Sequence, residues 1–195
     1  AMMGASVERI TPHPRAGDCI RARFPHPKAG ASGILIIGHM DTVHPIGTLA
    51  KSPIRRDGNL CFGPGIADMK GGNFLALEAI RKLSAIGAKT PLPITVLFTS
   101  DEEIGSPYTR DLIEAEAQRA LAVLVPEPAR RDNGVTSGRF AVARYHVSTV
   151  GRPSHAGLRL SEGRSAIRKM AETIIAIESM SREDCTFSVG VTRAG

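Results

Sequence analysis

Three short apolar runs, residues 34–37, 93–99 and 120–125, constrain this chain more than any other feature of its sequence. Each is too short for a helix and lacks the polar alternation of a half-exposed strand, so each reads as a strand covered on both faces. Between the first two, Phe74, Leu77, Ile80 and Leu83 recur at helical spacing within residues 70–86, and Gly87 follows as a C′ residue. Between the second and third, Ser106-Pro107 reads as an N-cap and first helical residue, opening a helix over 106–117. Strand, helix, strand, helix, strand is the order of an α/β fold: a mostly parallel sheet with covering helices.

The flanks read differently. The first thirty residues are rich in Pro and Gly, with one alternating stretch, 19–24, that suits an edge strand. Beyond Asn133-Gly134 the texture changes to a strand over 140–150, a helix over 165–180 and a strand over 186–191, the opening of a smaller α/β domain. The expected division is 1–138 and 139–195.

Composition narrows the function. With 42% hydrophobic residues in 195, the chain can bury a sizeable core. The net charge of +6, from 25 basic and 19 acidic residues, is scattered rather than gathered into a run, which argues against a nucleic-acid partner. No apolar run approaches the length of a membrane span. Cys19, Cys61 and Cys185 are widely spaced with no CxxC pair, as for buried thiols in a reducing compartment, and a cytoplasmic location is expected.

The chemistry collects at the strand ends. In open parallel sheets ligands bind beyond the carboxyl ends of the strands, and the loops there carry His39, Asp41, Asp68, Glu102, Glu103 and Glu127. One imidazole among several carboxylates suits zinc, with manganese or cobalt as alternatives. Each residue also has a plainer reading. Asp68 can cap the following helix, His39 can be a hydrogen-bonded loop histidine, Glu102 and Glu103 can be solvated acids, and Glu127 can be a turn residue between Pro126 and Pro128.

The segments HMDTV (39–43), GPGIADMKGG (63–72), TSDEEIGS (99–106), EP (127–128) and GRPSHAG (151–157), in this order and spacing, resemble the successive signatures of the M20 metallopeptidases, closest to their glutamate carboxypeptidase branch. The resemblance runs from about residue 34 to the last. It implies a zinc-exopeptidase-like catalytic domain followed by a dimerisation or lid domain, in a homodimer. It implies two Zn2+, with Co2+ or Mn2+ as substitutes: His39 on one metal, Asp68 bridging, Glu103 on the other, and Glu127 completing the first site. Asp41 is then the carboxylate that fixes the His39 imidazole, Glu102 the general base, and His155 an oxyanion donor that reaches a partner subunit's site. A cis peptide bond between Asp68 and Met69 is also implied. Family members are longer and draw a last ligand histidine from a later segment, so an internal piece of a longer protein, inactive in isolation, is expected.

The implied reaction is zinc-dependent hydrolysis of an amide bond next to a free carboxylate, releasing a C-terminal amino acid such as glutamate from a small peptide or N-acyl amino acid. An N-acyl-amino-acid or N-acetylornithine-type deacylase would share every motif, and a non-catalytic metal-binding or dimerisation remnant would share most. Glu102 argues against the remnant, because a binding site has no use for a base beside its ligands. A phosphate-binding reading of Gly71-Gly72 fails for want of a GxxxxGK[ST] element.

Overall fold

The computed structural model describes residues 3–129, 132 and 134–194. The chain forms two compact units, Ala1–Ser137 and Gly138–Gly195. Asn133 of the expected Asn133-Gly134 turn lies outside the described residues.

In the first unit the strands are β1 (Ser6–Ile10), β2 (Cys19–Arg23), β3 (Gly33–His39), the hairpin pair β4 (Arg55–Asp57) and β5 (Leu60–Phe62), β6 (Ile94–Thr99) and β7 (Ala120–Leu124). The helices are the single turn α1 (Thr48–Lys51), then α2 (Gly71–Ala85) and α3 (Arg110–Ala117). The main sheet has the order β1-β2-β6-β3-β7. β3 lies between β6 and β7 and is parallel to both, whereas β1 and β2 add on antiparallel. The sheet is therefore mixed, with a parallel half where β-α-β connections return the chain and an antiparallel half where the N-terminal segment folds back.

Register explains the layering. Ile34, Ile36, Ile94 and Val96 share one face, and Ile80 of α2 packs on them with Ala76 and Leu77 at its margin. Leu35 and Leu97 are buried on the opposite face, where α3 delivers Glu116 to Arg21, the residue opposite Leu97.

Several expectations are corrected here. The stretch at 19–24 does form a strand, but β2 is interior, because the polar Ser6–Ile10 segment pairs outside it as the true edge. The buried stripe of α2 runs through Asn73, Ala76, Leu77 and Ile80, an i, i+3, i+4, i+7 set. Phe74 falls off that stripe and is exposed. β7 is an edge strand rather than a buried one, with Leu121, Val123 and Leu124 exposed. Ser106 does not cap α3. It takes a left-handed φ of 53°, and the helix starts at Arg110 after the Asp101 carboxylate has accepted the Tyr108 and Thr109 N–H groups at 2.8 and 3.2 Å.

The second unit contains α4 (Ala166–Glu178), capped by Ser165 Oγ, which accepts the Arg168 N–H at 3.1 Å. The two strands expected at 140–150 and 186–191 are not formed among the described residues. Alternation gives a segment a preference for extended backbone, but a strand also needs a paired neighbour. Among the described residues of this unit, the pairing is limited to the isolated bridges Arg152–Arg164 and Arg182–Cys185. Among the described residues, no helix is long and apolar enough to cross a membrane.

Candidate active site

β3 ends in His39, whose side chain is only 1% exposed. Its two ring nitrogens meet different groups. Nε2 lies 3.0 Å from Asp68 Oδ1, with Glu127 Oε1 at 3.8 Å and Glu102 Oε2 at 3.9 Å. Nδ1 lies 3.0 Å from the Asp41 backbone oxygen and 3.4 Å from its carboxylate. A ring held by an acceptor at Nδ1 keeps its proton there when neutral, which leaves Nε2 as the ligand atom facing the acids.

Asp68 stands in an irregular turn, Ile66–Lys70, just before α2. The Asp68–Met69 peptide bond is cis. Lys70 Nζ donates to the Met40 oxygen at 2.9 Å and so ties this turn to the loop after β3. Glu127 comes from the segment after β7, which passes close to the start of α2. A Cβ on Gly72 would lie 1.7 Å from the Pro126 oxygen, so the approach requires glycine.

The Asp41 carboxylate accepts the Glu102 and Glu103 N–H groups at 3.2 and 2.9 Å. It therefore holds the loop after β6 as well as bordering His39. Glu103 Oε1 accepts the Val43 N–H at 3.2 Å, while Glu102 points its half-exposed side chain toward His39 Nε2. Below them the buried Asp101 ties the same loop to the start of α3.

His39, Asp68 and Glu103 each offer one ligand atom within 4.8 Å of the others. Glu127 and Glu102 border the same ring nitrogen, and the Asp41 carboxylate lies at Nδ1. His155 belongs to the second unit, where its Nδ1 accepts the N–H groups of Gly157 and Leu158, both at 3.2 Å.

Electrostatics reinforce this geometry. Burial works against a charged His39 ring, yet the Asp68 hydrogen bond, the Asp41 backbone oxygen and the Asp41 and Glu102 charges outweigh it and raise its pKa above the ordinary value. Burial and the Asp68 charge push the Glu127 carboxyl above its usual range, against the pull of His39. Carboxylates crowded around one imidazole repel one another, and a divalent cation relieves that repulsion. Hard oxygen donors with one nitrogen suit zinc or a neighbouring dication.

Asn73, Met69 and Asp101 also support these groups, although the sequence reading assigned none of them a place in the site. The one sequence signal for Asn73 was a polar residue on the inward stripe of α2.

The family model for peptidase family M20/M25/M40 matches residues 35–194. Carboxypeptidase G2 of Pseudomonas sp. (strain RS-16) is 40% identical over 147 residues, covering 75% of this chain and 35% of that protein. The chain thus spans about a third of the length of this curated relative. Among solved structures, human carnosine dipeptidase 1 superposes with a TM-score of 0.55 at 17% identity, covering 66% of this chain and 30% of that one. The M20 family metallo-carboxypeptidase Sso-CP2 from Sulfolobus solfataricus gives 0.53 at 20% identity, with the same coverage of each. At these identities the two structures speak for the fold.

Proposed function

This chain belongs to peptidase family M20/M25/M40, and from that premise we propose that its site hydrolyses an amide bond next to a free carboxylate, releasing a C-terminal amino acid such as glutamate. The observation that carries the proposal is the convergence of His39, Asp68 and Glu103, with Glu102 at the border of the group. The likeness to a protein named a carboxypeptidase favours this reading over the deacylase.

In this reading His39, Asp68, Glu103 and Glu127 would hold two zinc ions. The metal supplies Lewis-acid polarisation of the scissile carbonyl and a lower pKa for the attacking water. Glu102 accepts the proton of that water and passes it to the departing amine nitrogen. A base beside the donor group, with its backbone fixed by Asp41, is placed for such a transfer. His155 donates to the oxyanion from a partner subunit in a homodimer, residues 1–138 and 139–195 being the catalytic and lid portions. The three cysteines are free, as suits a cytoplasmic protein.

The test is hydrolysis of a matched panel by the zinc-supplemented full-length protein: peptides and N-acyl derivatives ending in glutamate, set against N-acetylated amino acids with other side chains. Release of C-terminal glutamate is the expected outcome. Turnover confined to the acetylated amino acids would favour the deacylase, and none on any substrate would contradict both.

A further inference from the structure

The pairing of β3 with β7 stops at Ile36 opposite Leu124, yet β3 continues to His39. Along a parallel strand the N–H and C=O of one residue point to the same side, and successive residues alternate. Ile34 and Met40 donate toward β6, to Pro93 and Thr99. His39 is in the other register, so its N–H and C=O face the side where β7 has ended. Two side chains replace the missing strand there. Met69 Sδ accepts the His39 N–H at 3.2 Å, and Asn73 Nδ2 donates to the His39 oxygen at 2.8 Å.

The fit is specific to these two residues. A Cβ on Gly38 would lie 2.0 Å from Asn73 Oδ1 and 3.1 Å from the Met69 methyl, so the strand leaves out one side chain to admit both. The other inward positions of α2, at Ala76, Leu77 and Ile80, are apolar. Asn73 is buried among them, and its Oδ1 has no hydrogen-bond partner among the described residues. A residue needed only to fill the seam would be apolar as well. The group this position uses is the donor, and that donor is aimed at the backbone of His39.

We infer that Asn73 and Met69 are positioning residues for His39, clamping its backbone on both polar groups so that the imidazole is held toward Asp68 and Glu103. The inference rests on the metal-centre reading above. It is tested with cobalt(II) alone as the probe, by titrating the full chain and recording affinity and the visible absorption of the bound ion. Asn73→Leu removes the donor at nearly constant shape, and Met69→Leu removes the acceptor by a well-tolerated swap. Ile80→Ala, on the same helix but away from His39, controls for loss of stability.

Asn73→Leu weakens cobalt binding by about tenfold or more and changes the absorption envelope. Met69→Leu shifts both in the same direction by less, and Ile80→Ala lowers Tm while leaving both unchanged. Wild-type affinity and spectrum in both Asn73→Leu and Met69→Leu overturn the inference, as does an equal loss in Ile80→Ala. If Asn73→Leu does not fold, Met69→Leu alone decides. A wild-type chain that takes up no cobalt removes the metal-centre reading and this inference with it, an outcome distinct from the others.

Discussion

Two adjacent acids, Glu102 and Glu103, leave the same strand end and face different groups, one bordering His39 Nε2 and the other within the converging ligand atoms. Their substitution should therefore give two different phenotypes. Glu102→Gln keeps the shape and loses the proton acceptor, so kcat should fall by about 10²–10⁴-fold with metal content retained. Glu103→Gln should lower metal content, because a neutral amide is a poorer ligand for such a dication. Metal analysis beside steady-state kinetics separates the two, and equal metal loss in both variants would refute the division of labour. His39 adds a pH dependence. Metal binding requires the neutral imidazole, and the ring's pKa is raised. Affinity should accordingly fall by about tenfold per pH unit below that pKa, with the raised Glu127 adding to the slope. The sign is reversed for stability without metal. Both pKa values are above their ordinary values, so the stability these groups contribute is fully present below the unfolded-state values and is lost as pH rises through the folded ones. Calorimetric titrations and metal-free melts between about pH 5 and 8 should show the opposite slopes, and two flat profiles would contradict the electrostatics described here.

At the scale of elements, the loop after β6 is fixed at two points, by Asp41 on the Glu102–Glu103 backbone and by Asp101 on the start of α3. Asp101→Ala strands the Tyr108 N–H and the buried Thr109 N–H and should cost about 1–3 kcal/mol in chemical denaturation; a variant as stable as wild type would show that Asp101 has no such role. Ile80→Ala should cost about 2–5 kcal/mol by opening a cavity against Ile36, Ile94 and Val96. These elements also show what a sequence reveals. β3 and β6 were legible because both of their faces are buried and a continuous apolar run follows from that. The burial of β7 was not legible, since an apolar run does not report whether a neighbour lies beyond it. Ser6–Ile10 was invisible because Glu8 and Arg9 suit an edge that gains its strand character from β2. The start of α3 was misplaced because the residues just before it are fixed by Asp101, which acts across a loop on the Tyr108 and Thr109 N–H groups, and not by the nearer Ser106. In the site, the meeting of His39, Asp68 and Glu103 was foreseeable from their places beyond the strand ends and from the family resemblance. Asn73 and Met69 were not, because their task depends on where β7 stops pairing.

Across the whole molecule, the family match covers both units, and the chain spans 35% of Carboxypeptidase G2. The candidate ligand atoms of His39, Asp68 and Glu103 all come from the first unit, at the end of β3, in the turn before α2 and in the loop after β6. That placement follows from the parallel half of the sheet, which aims its strand ends at one side while the antiparallel half takes no part. The central claim is that these residues work through bound metal, and removal and return of that metal tests it most directly. In the full-length protein, hydrolysis of an N-acyl glutamate should be abolished by exhaustive chelation and restored by added Zn2+, with Glu102→Gln remaining inactive at full metal content. Turnover that survives complete metal removal would contradict the account.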